Sequence, residues 1–430
     1  MTGRSWLVSA MLVAMGIGGV LPVAEPVLGQ DAGPGAGPDA SVRIAHMTVA
    51  LEDSRAALIE VRRDIHRHPE PSGQEERTAA LVAERLRSLG LDVETGVGGH
   101  GVVGVLQGGL PGPVVAYRAD MDAVRDNSPD PVPFSSEVPG VRHICGHDIH
   151  TTVALGVAEA LASIRHELPG TVKFLFQPAE ENIRGARAMI EDGVLEDPAP
   201  SAIFAVHTAP LEVGQIGTVE GLGLPGTDVI RVRVTGGEDL AGVASAMARL
   251  ISGVSTVGPP GSPDPEGDDF IWANARSSRL PGGEEYAVSG SVKASGEDQY
   301  ASAKKQIEDG LKLLATGETR YELEYRDRVL ADMINDVQLV RDSEGPLRRV
   351  LGGENVISSG SFPYFGEDFA FYQQVIPGAL YWLGVSNSEK GTVGMPHSPG
   401  YVADEESIMV GSKAMAVVLL DYLERHGEGT

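Results

Sequence analysis

His143-Ile144-Cys145-Gly146-His147-Asp148-Ile149-His150 holds the only cysteine in 430 residues and three of the 11 histidines. Cys145 and His147 alternate, so an extended backbone would turn both side chains to one side. A thiolate and an imidazole placed that way can grip one divalent ion. Behind them, residues 151–164 (TTVALGVAEALASI) read as a buried helix. A site here would therefore lie where a loop enters a rigid element. Taken alone, the stretch also fits a small buried cysteine beside surface histidines. What separates the two readings lies elsewhere in the chain.

Upstream, residues 50–66 and 78–89 carry apolar residues at helical spacing. The second follows Ser72-Gly73-Gln74-Glu75, a capping-box pattern. Residues 102–106 (VVGVL) and 114–117 (VVAY) are apolar runs parted by a Gly/Pro turn, and they read as neighbouring strands. Arg118-Ala119-Asp120-Met121-Asp122 runs directly off the second. Open α/β sheets build their sites at such strand ends, although turn capping is the plainer role for the two aspartates. Downstream, residues 171–176 (TVKFLF) form a strand that enters Gln177-Pro178-Ala179-Glu180-Glu181. Adjacent carboxylates can divide two tasks, one binding metal and one acting as base. They also suit the start of a helix at 185–190. The strand at 201–206 ends at His207, which by itself reads as a hydrogen-bonded core histidine.

From residue 228 the pattern changes. DVIRVRVT (228–235) alternates like a half-exposed strand. Helix, strand, helix and strand patterns follow at 240–254, 286–294, 298–314 and 321–325, with a Pro/Gly/Asp loop at 258–269. This set of about 100 residues is long enough to be an inserted α+β module with its own core. The first style then returns: a helix at 337–351, Gly366-Glu367-Asp368-Phe369, a buried strand at 379–384, Pro396-His397-Ser398-Pro399 and a closing helix at 405–425.

The net charge of −26 excludes a basic face for phosphate and so argues against nucleic acid. One cysteine excludes an internal disulfide. Arg4, the apolar run at 6–20 and Val27-Leu28-Gly29 before Gln30 read as a cleaved signal peptide over residues 1–29. That implies a secreted or periplasmic protein with no stable membrane span after cleavage. Residues 30–41 (QDAGPGAGPDAS) read as a linker.

Tyr117-Arg118-Ala119-Asp120-Met121-Asp122-Ala123, the Cys145 stretch, Phe176-Gln177-Pro178-Ala179-Glu180-Glu181, Ile203-Phe204-Ala205-Val206-His207, Gly366-Glu367-Asp368-Phe369 and His397-Ser398-Pro399 stand in one order. Together they resemble the M20 family of metallo-amidohydrolases, in particular the branch of hippurate hydrolases, N-acyl-amino-acid amidohydrolases and auxin-conjugate hydrolases. The resemblance runs from about residue 59 to 423. It implies an α/β fold: a mixed-sheet di-metal hydrolase domain, split as 42–226 and 330–430, with an inserted α+β lid of the dimerisation type at 227–329. It implies Cys145, His147, Glu181, His207 and His397 as ligands of two divalent ions, manganese, zinc or nickel. It implies Glu180 as the general base acting on a water shared by the ions. The expected reaction is cleavage of the amide of a small N-acyl amino acid or short peptide, in a homodimer. A dipeptidase of the same superfamily and a metal-loaded binding protein without turnover are the alternatives.

The lid departs from the family pattern. Relatives carry a Gly-Gly-His segment there, whose histidine reaches the substrate, whereas this chain reads Thr235-Gly236-Gly237-Glu238-Asp239. An Asn-Val-Ile-Pro segment is replaced by Ser277-Ser278-Arg279-Leu280-Pro281. Arg276 or Arg279 could supply a substitute cation, although a solvated role is plainer for each.

Overall fold

The apolar runs around the Cys145 stretch become strands of one mixed sheet. The computed structural model describes residues 40–258 and 269–427. The expected signal peptide, most of the expected linker and most of the Pro/Gly/Asp loop lie outside these residues.

The chain begins with α1 (Ala40–Arg67), so Ala40 and Ser41 belong to a helix rather than to the linker. The apolar spacing extends back through Ile44 and Met47 to Leu51, which pack on the core. In α2 (Glu76–Ser88) the expected capping box does not form. Glu70 accepts the N–H groups of Arg77 and Thr78 at 2.9 and 2.8 Å instead, which satisfies the orphan donors of the first turn. The side chains of Ser72 and Glu75 are thereby released for other partners.

Next come β1 (Asp92–Val97), β2 (Gly101–Gln107), β3 (Leu110–Asp120), α3 (His147–Ser163), β4 (Pro169–Gln177), α4 (Gly185–Glu191), β5 (Ile203–Glu212), β6 (Ile216–Thr218) and β7 (Gly221–Leu224). The insert supplies β8 (Thr227–Thr235), α5 (Leu240–Ser252), β9 (Ile271–Arg279), β10 (Tyr286–Ala294), α6 (Glu297–Leu314) and β11 (Arg320–Leu330). The chain returns through β12 (Met333–Asn335), α7 (Val337–Leu351), β13 (Val356–Ser358), α8 (Ala370–Gln373), β14 (Gly378–Ser386) and α9 (Glu406–Gly427).

The main sheet has eight strands in the order β1-β2-β4-β3-β5-β14-β6-β13. Its centre, from β4 through β3 and β5 to β14, is parallel. Strands buried on both faces read as continuous apolar runs, and every residue of β14 is buried. One face packs against α1, α2, α3, α7 and α9, and the other against α4, α8 and neighbouring loops. The insert forms a four-stranded antiparallel sheet, β11-β8-β10-β9, with α5 and α6 over one face and a separate core. The fold class is thus the one that the sequence implied, a mixed-sheet unit with an α+β lid.

The helix that carries the site approaches its neighbour closely. A Cβ on Gly156 of α3 would lie 2.2 Å from Ser412 Oγ and 2.9 Å from Ser412 Cβ on α9. Gly156→Val must push α3 and α9 apart. We expect a loss of about 1–3 kcal/mol, read as a lower midpoint in denaturant unfolding with an unchanged slope.

Candidate metal centre

Gly146 enters α3 in the left-handed region, at φ 92. A Cβ there would meet Tyr401 Oη at 2.3 Å and Thr208 Oγ1 at 2.6 Å. Cys145 and His147 therefore do not alternate along an extended segment, as the sequence suggested. A turn open only to glycine brings them together, and His147 is the first residue of the helix.

His207 lies within β5, not at its end. The Thr208 carbonyl faces His207 Nδ1 at 2.8 Å. A carbonyl only accepts, so Nδ1 carries the proton and Nε2 keeps its lone pair. That Nε2 is 3.4 Å from Cys145 Sγ. Glu180 and Glu181 follow β4 in a turn bracketed by Ala179 at φ 56 and Ile183 at φ 62, and His397 stands at φ 58. Three of the four non-glycine residues with positive φ among the described residues thus belong to this site. Each costs about 1–3 kcal/mol, and such strain collects where function holds it.

The expected ligands converge. Glu181 Oε1 is 3.5 Å from His397 Nε2 and 3.8 Å from His147 Nε2. Glu180 Oε2 is 4.0 Å from His147 Nε2. Donor atoms of Cys145, His147 and His207 lie within 4.8 Å of one another, as do those of Cys145, Glu181 and His397. A cavity of about 370 Å³ opens on Cys145, Glu180, Glu181, His207 and His397.

Behind them stand residues for which sequence offered only local roles. Asp122 Oδ1 is 3.1 Å from His147 Nδ1. Its Oδ2 accepts from Ser72 Oγ at 2.6 Å and from the Glu181 N–H at 3.0 Å. Asp122 therefore orients two expected ligands rather than capping a turn. Asp120 Oδ1 pairs with His150 Nδ1 at 2.6 Å, while His150 Nε2 accepts the Thr208 N–H at 2.8 Å. With both nitrogens engaged, His150 is not a ligand. Arg118, wholly buried, donates to Asp120 Oδ2 at 2.5 Å, Glu367 Oε1 at 2.8 Å, Asp368 Oδ1 at 3.0 Å and Gln177 Oε1 at 2.9 Å. The signals for Arg118 and the aspartates were their place at a strand end and within the Tyr117–Ala123 segment of the resemblance.

The charges show what the site lacks. Burial pushes the Cys145 thiol up, and the charges of Glu181 and Glu180 add to it. Burial, Glu367 and Asp368 push Glu180 well above the usual carboxylate range. Burial raises Glu181 to about 7, against the pull of His147. Burial disfavours charge on His147, yet Asp120 and Asp122 outweigh it and raise its pKa to about 10. Acidic groups thus outnumber cations, and the site holds protons in place of stronger positive charge. His147 Nε2 and Glu181 Oε1 are buried with no hydrogen-bond partner. A thiol, three imidazoles and a carboxylate suit first-row divalent ions. On both counts the residues fit a two-metal centre.

The lid supplies a different cation from those proposed on sequence. Arg279 donates to the Gly283 carbonyl within its own hairpin, at 2.7 Å. Arg276 is exposed, and neither arginine lines the cavity. Asp239 accepts the Gly242 N–H at the start of α5. Lys293 on β10 is the one lysine or arginine among the described residues lining the cavity. Its Nζ donates to Thr227 Oγ1 at 2.8 Å and to the Phe365 carbonyl at 2.9 Å. In sequence it was one polar residue in a strand, with nothing to mark it.

Comparison with known proteins agrees with this geometry. The profile of Peptidase family M20/M25/M40 matches residues 116–421. An IAA-amino acid hydrolase of Arabidopsis thaliana (ILR1-like 6) is 33% identical, over 86% of this chain and 81% of its own. The N-acetylcysteine deacetylase of Bacillus subtilis is 31% identical, over 85% of this chain and 97% of its own. Among solved structures, the Bacillus subtilis YXEP protein is described as a dinuclear metal binding peptidase from the M20 family. It superposes with a TM-score of 0.72 at 30% identity, covering 87% of this chain and 99% of that one.

Asp122→Ala removes the acceptor from His147 and frees the Glu181 amide. We expect metal affinity to fall about 10–100-fold, measured by competition with a chromogenic chelator.

Proposed function

The chain belongs to peptidase family M20/M25/M40, and from that membership we propose that it hydrolyses the amide bond of N-acyl amino acids or related small amides outside the cytoplasm. The observation that carries the substrate reading is the cavity. Its lining includes Glu180 and four of the expected metal ligands, Cys145, Glu181, His207 and His397. It also includes Lys293 and the apolar or aromatic residues Leu224, Phe362, Tyr364, Trp382 and Met395. A substrate matching that lining has an amide between an apolar acyl group and a carboxylate-bearing amino acid.

Cys145, His147, Glu181, His207 and His397 would hold two divalent ions, which would supply a Lewis acid for the amide carbonyl and acidify a water. Glu180 would act as general base toward a water at this place and pass the proton to the leaving nitrogen. Asp122 and Asp120 keep the imidazoles oriented. Lys293 binds the substrate carboxylate, and the aromatic wall excludes water from the acyl group.

The test is a panel of N-benzoyl, N-acetyl and free dipeptide substrates, with metal content measured on protein purified without added metal. We expect about two metal ions per chain, release of amino acid from the acylated substrates and poor cleavage of free dipeptides. Mass spectrometry of the bound ions would decide among manganese, zinc and nickel. Glu180→Gln should lower kcat by about 10²–10⁴-fold with metal content unchanged. Metal-loaded protein that cleaves none of the acylated substrates would overturn the reading. Export rests on the leader read at residues 1–29. A mature N-terminus at Gln30 would support it, and an intact Met1 in the cytosolic fraction would oppose it.

Lys293 gives this reading a pH dependence. Burial lowers its ammonium to about 8, with Asp332 pulling the other way. The cation is present below that pH and is lost as pH rises through it. KM for an N-acyl amino acid should therefore climb above about pH 8, while Lys293→Arg keeps KM low to higher pH, since arginine stays charged. Lys293→Met should raise KM about 10–100-fold below about pH 8, the worth of a charge-assisted hydrogen bond, and its KM should not climb further as pH rises.

A further inference from the structure

Glu75 stands at the N-terminal boundary of α2 but makes no capping bond to it, because Glu70 accepts that helix's first donors. Its side chain is fully buried. One oxygen, Oε1, accepts the Gly73 N–H at 2.8 Å and the Ala179 N–H, 104 residues away, also at 2.8 Å. The other, Oε2, is buried without a partner. An unpaired buried acceptor costs about 1–3 kcal/mol, so local stability does not account for the placement.

Ala179 immediately precedes Glu180 and holds φ at 56, which L-residues adopt only under constraint. Its carbonyl accepts from Arg184 and Gly185 at 3.2 and 3.1 Å. Its N–H goes to Glu75. Both backbone groups of this one strained residue are therefore fastened. Glu181 is held next to it by Asp122, and Glu180 Oε1 faces the Asp368 N–H at 3.4 Å.

We propose that Glu75 is a positioning residue for catalysis: by holding the Ala179 N–H it keeps Ala179 in the left-handed conformation that presents Glu180 to the cavity. The proposal rests on Glu180 being the general base. Glycine adopts positive φ at no steric cost, so replacing Ala179 with glycine should reduce the need for Glu75. The role is thus written into a coupling between two residues on separate segments.

The test is the cycle of wild type, Glu75→Ala, Ala179→Gly and the double variant, with Glu75→Gln and Glu180→Gln as controls. Read-outs are kcat, KM, metal content and hydrogen exchange at the Ala179 amide in metal-free protein. We expect Glu75→Ala to lower kcat by about 10–100-fold, as small displacements of a reacting group do, with KM and metal content unchanged. Ala179→Gly in that background should recover much of the loss. Glu75→Gln, which keeps a carbonyl acceptor, should lie close to wild type. The Ala179 amide should be protected in wild type and exchange faster in Glu75→Ala. Additive effects in the cycle, or an unprotected Ala179 amide in wild type, would overturn the proposal. The exchange measurement on wild type decides even if Glu75→Ala does not fold. A Glu180→Gln protein with full activity would instead sink the reading of Glu180 as base, and so separates the two failures.

Discussion

The arrangement depends on one buried guanidinium. Arg118 has no exposed surface, and a cation there is tolerated only when its donors are paired. It reaches Asp120 beside it on β3, Gln177 at the end of β4, and Glu367 and Asp368, 249 and 250 residues further along the chain. Asp120 braces His150, while Asp368 gives its N–H to Glu180. A single side chain thus joins the two sequence halves of the hydrolase unit next to the Glu180-Glu181 turn. The carboxylates need it as much as it needs them, since removing one partner of such a group leaves an unpaired buried charge.

Around this anchor the site is both strained and short of positive charge. The backbone is bent at Ala179, Ile183 and His397, and the neighbouring carboxylates and imidazoles hold displaced proton affinities. These features share one cause. Oxygen, nitrogen and sulfur donors are gathered in one place, and a pair of divalent ions would offset their negative charge. The lid contributes through a different contact. Lys293 bridges Thr227, at the first lid strand, and the Phe365 carbonyl, just before Gly366, Glu367 and Asp368. The cavity's one lysine is therefore tied both to the start of the lid and to the segment that holds Arg118.

Much of this could be read from residue types alone. The buried strands were legible because buried parallel strands are continuous apolar runs. Cys145, His147, Glu181, His207 and His397 were legible because such residues are scarce in a core and stood in a recognisable order. The alternating DVIRVRVT run marked the insert. The partners of Arg118 and Asp122, and the places of Glu75 and Lys293, were not legible, and for one reason. Each has a cheaper local explanation, as a cap, a turn or a solvated strand residue, while its actual partner lies far off in sequence. His147 and His150 are the same residue type in the same helix turn. Only the Thr208 N–H, supplied by β5, shows that His150 is already engaged.

The strand order carries a consequence for synthesis. β5 and β6 are separated by three residues, yet β14 lies between them in the finished sheet, parallel to β5 and antiparallel to β6. Until Gly378–Ser386 has left the ribosome, β5 has an unpaired apolar edge in the middle of the molecule, the kind of edge that invites aggregation. A chain that ends before Gly378 therefore lacks the strand that joins β5 to β6 and cannot close this sheet. A nick in the lid is a different injury, because both flanking segments stay bound to the same sheet. The strand order thus ties completion of the central sheet to a segment near the C-terminal end of the chain.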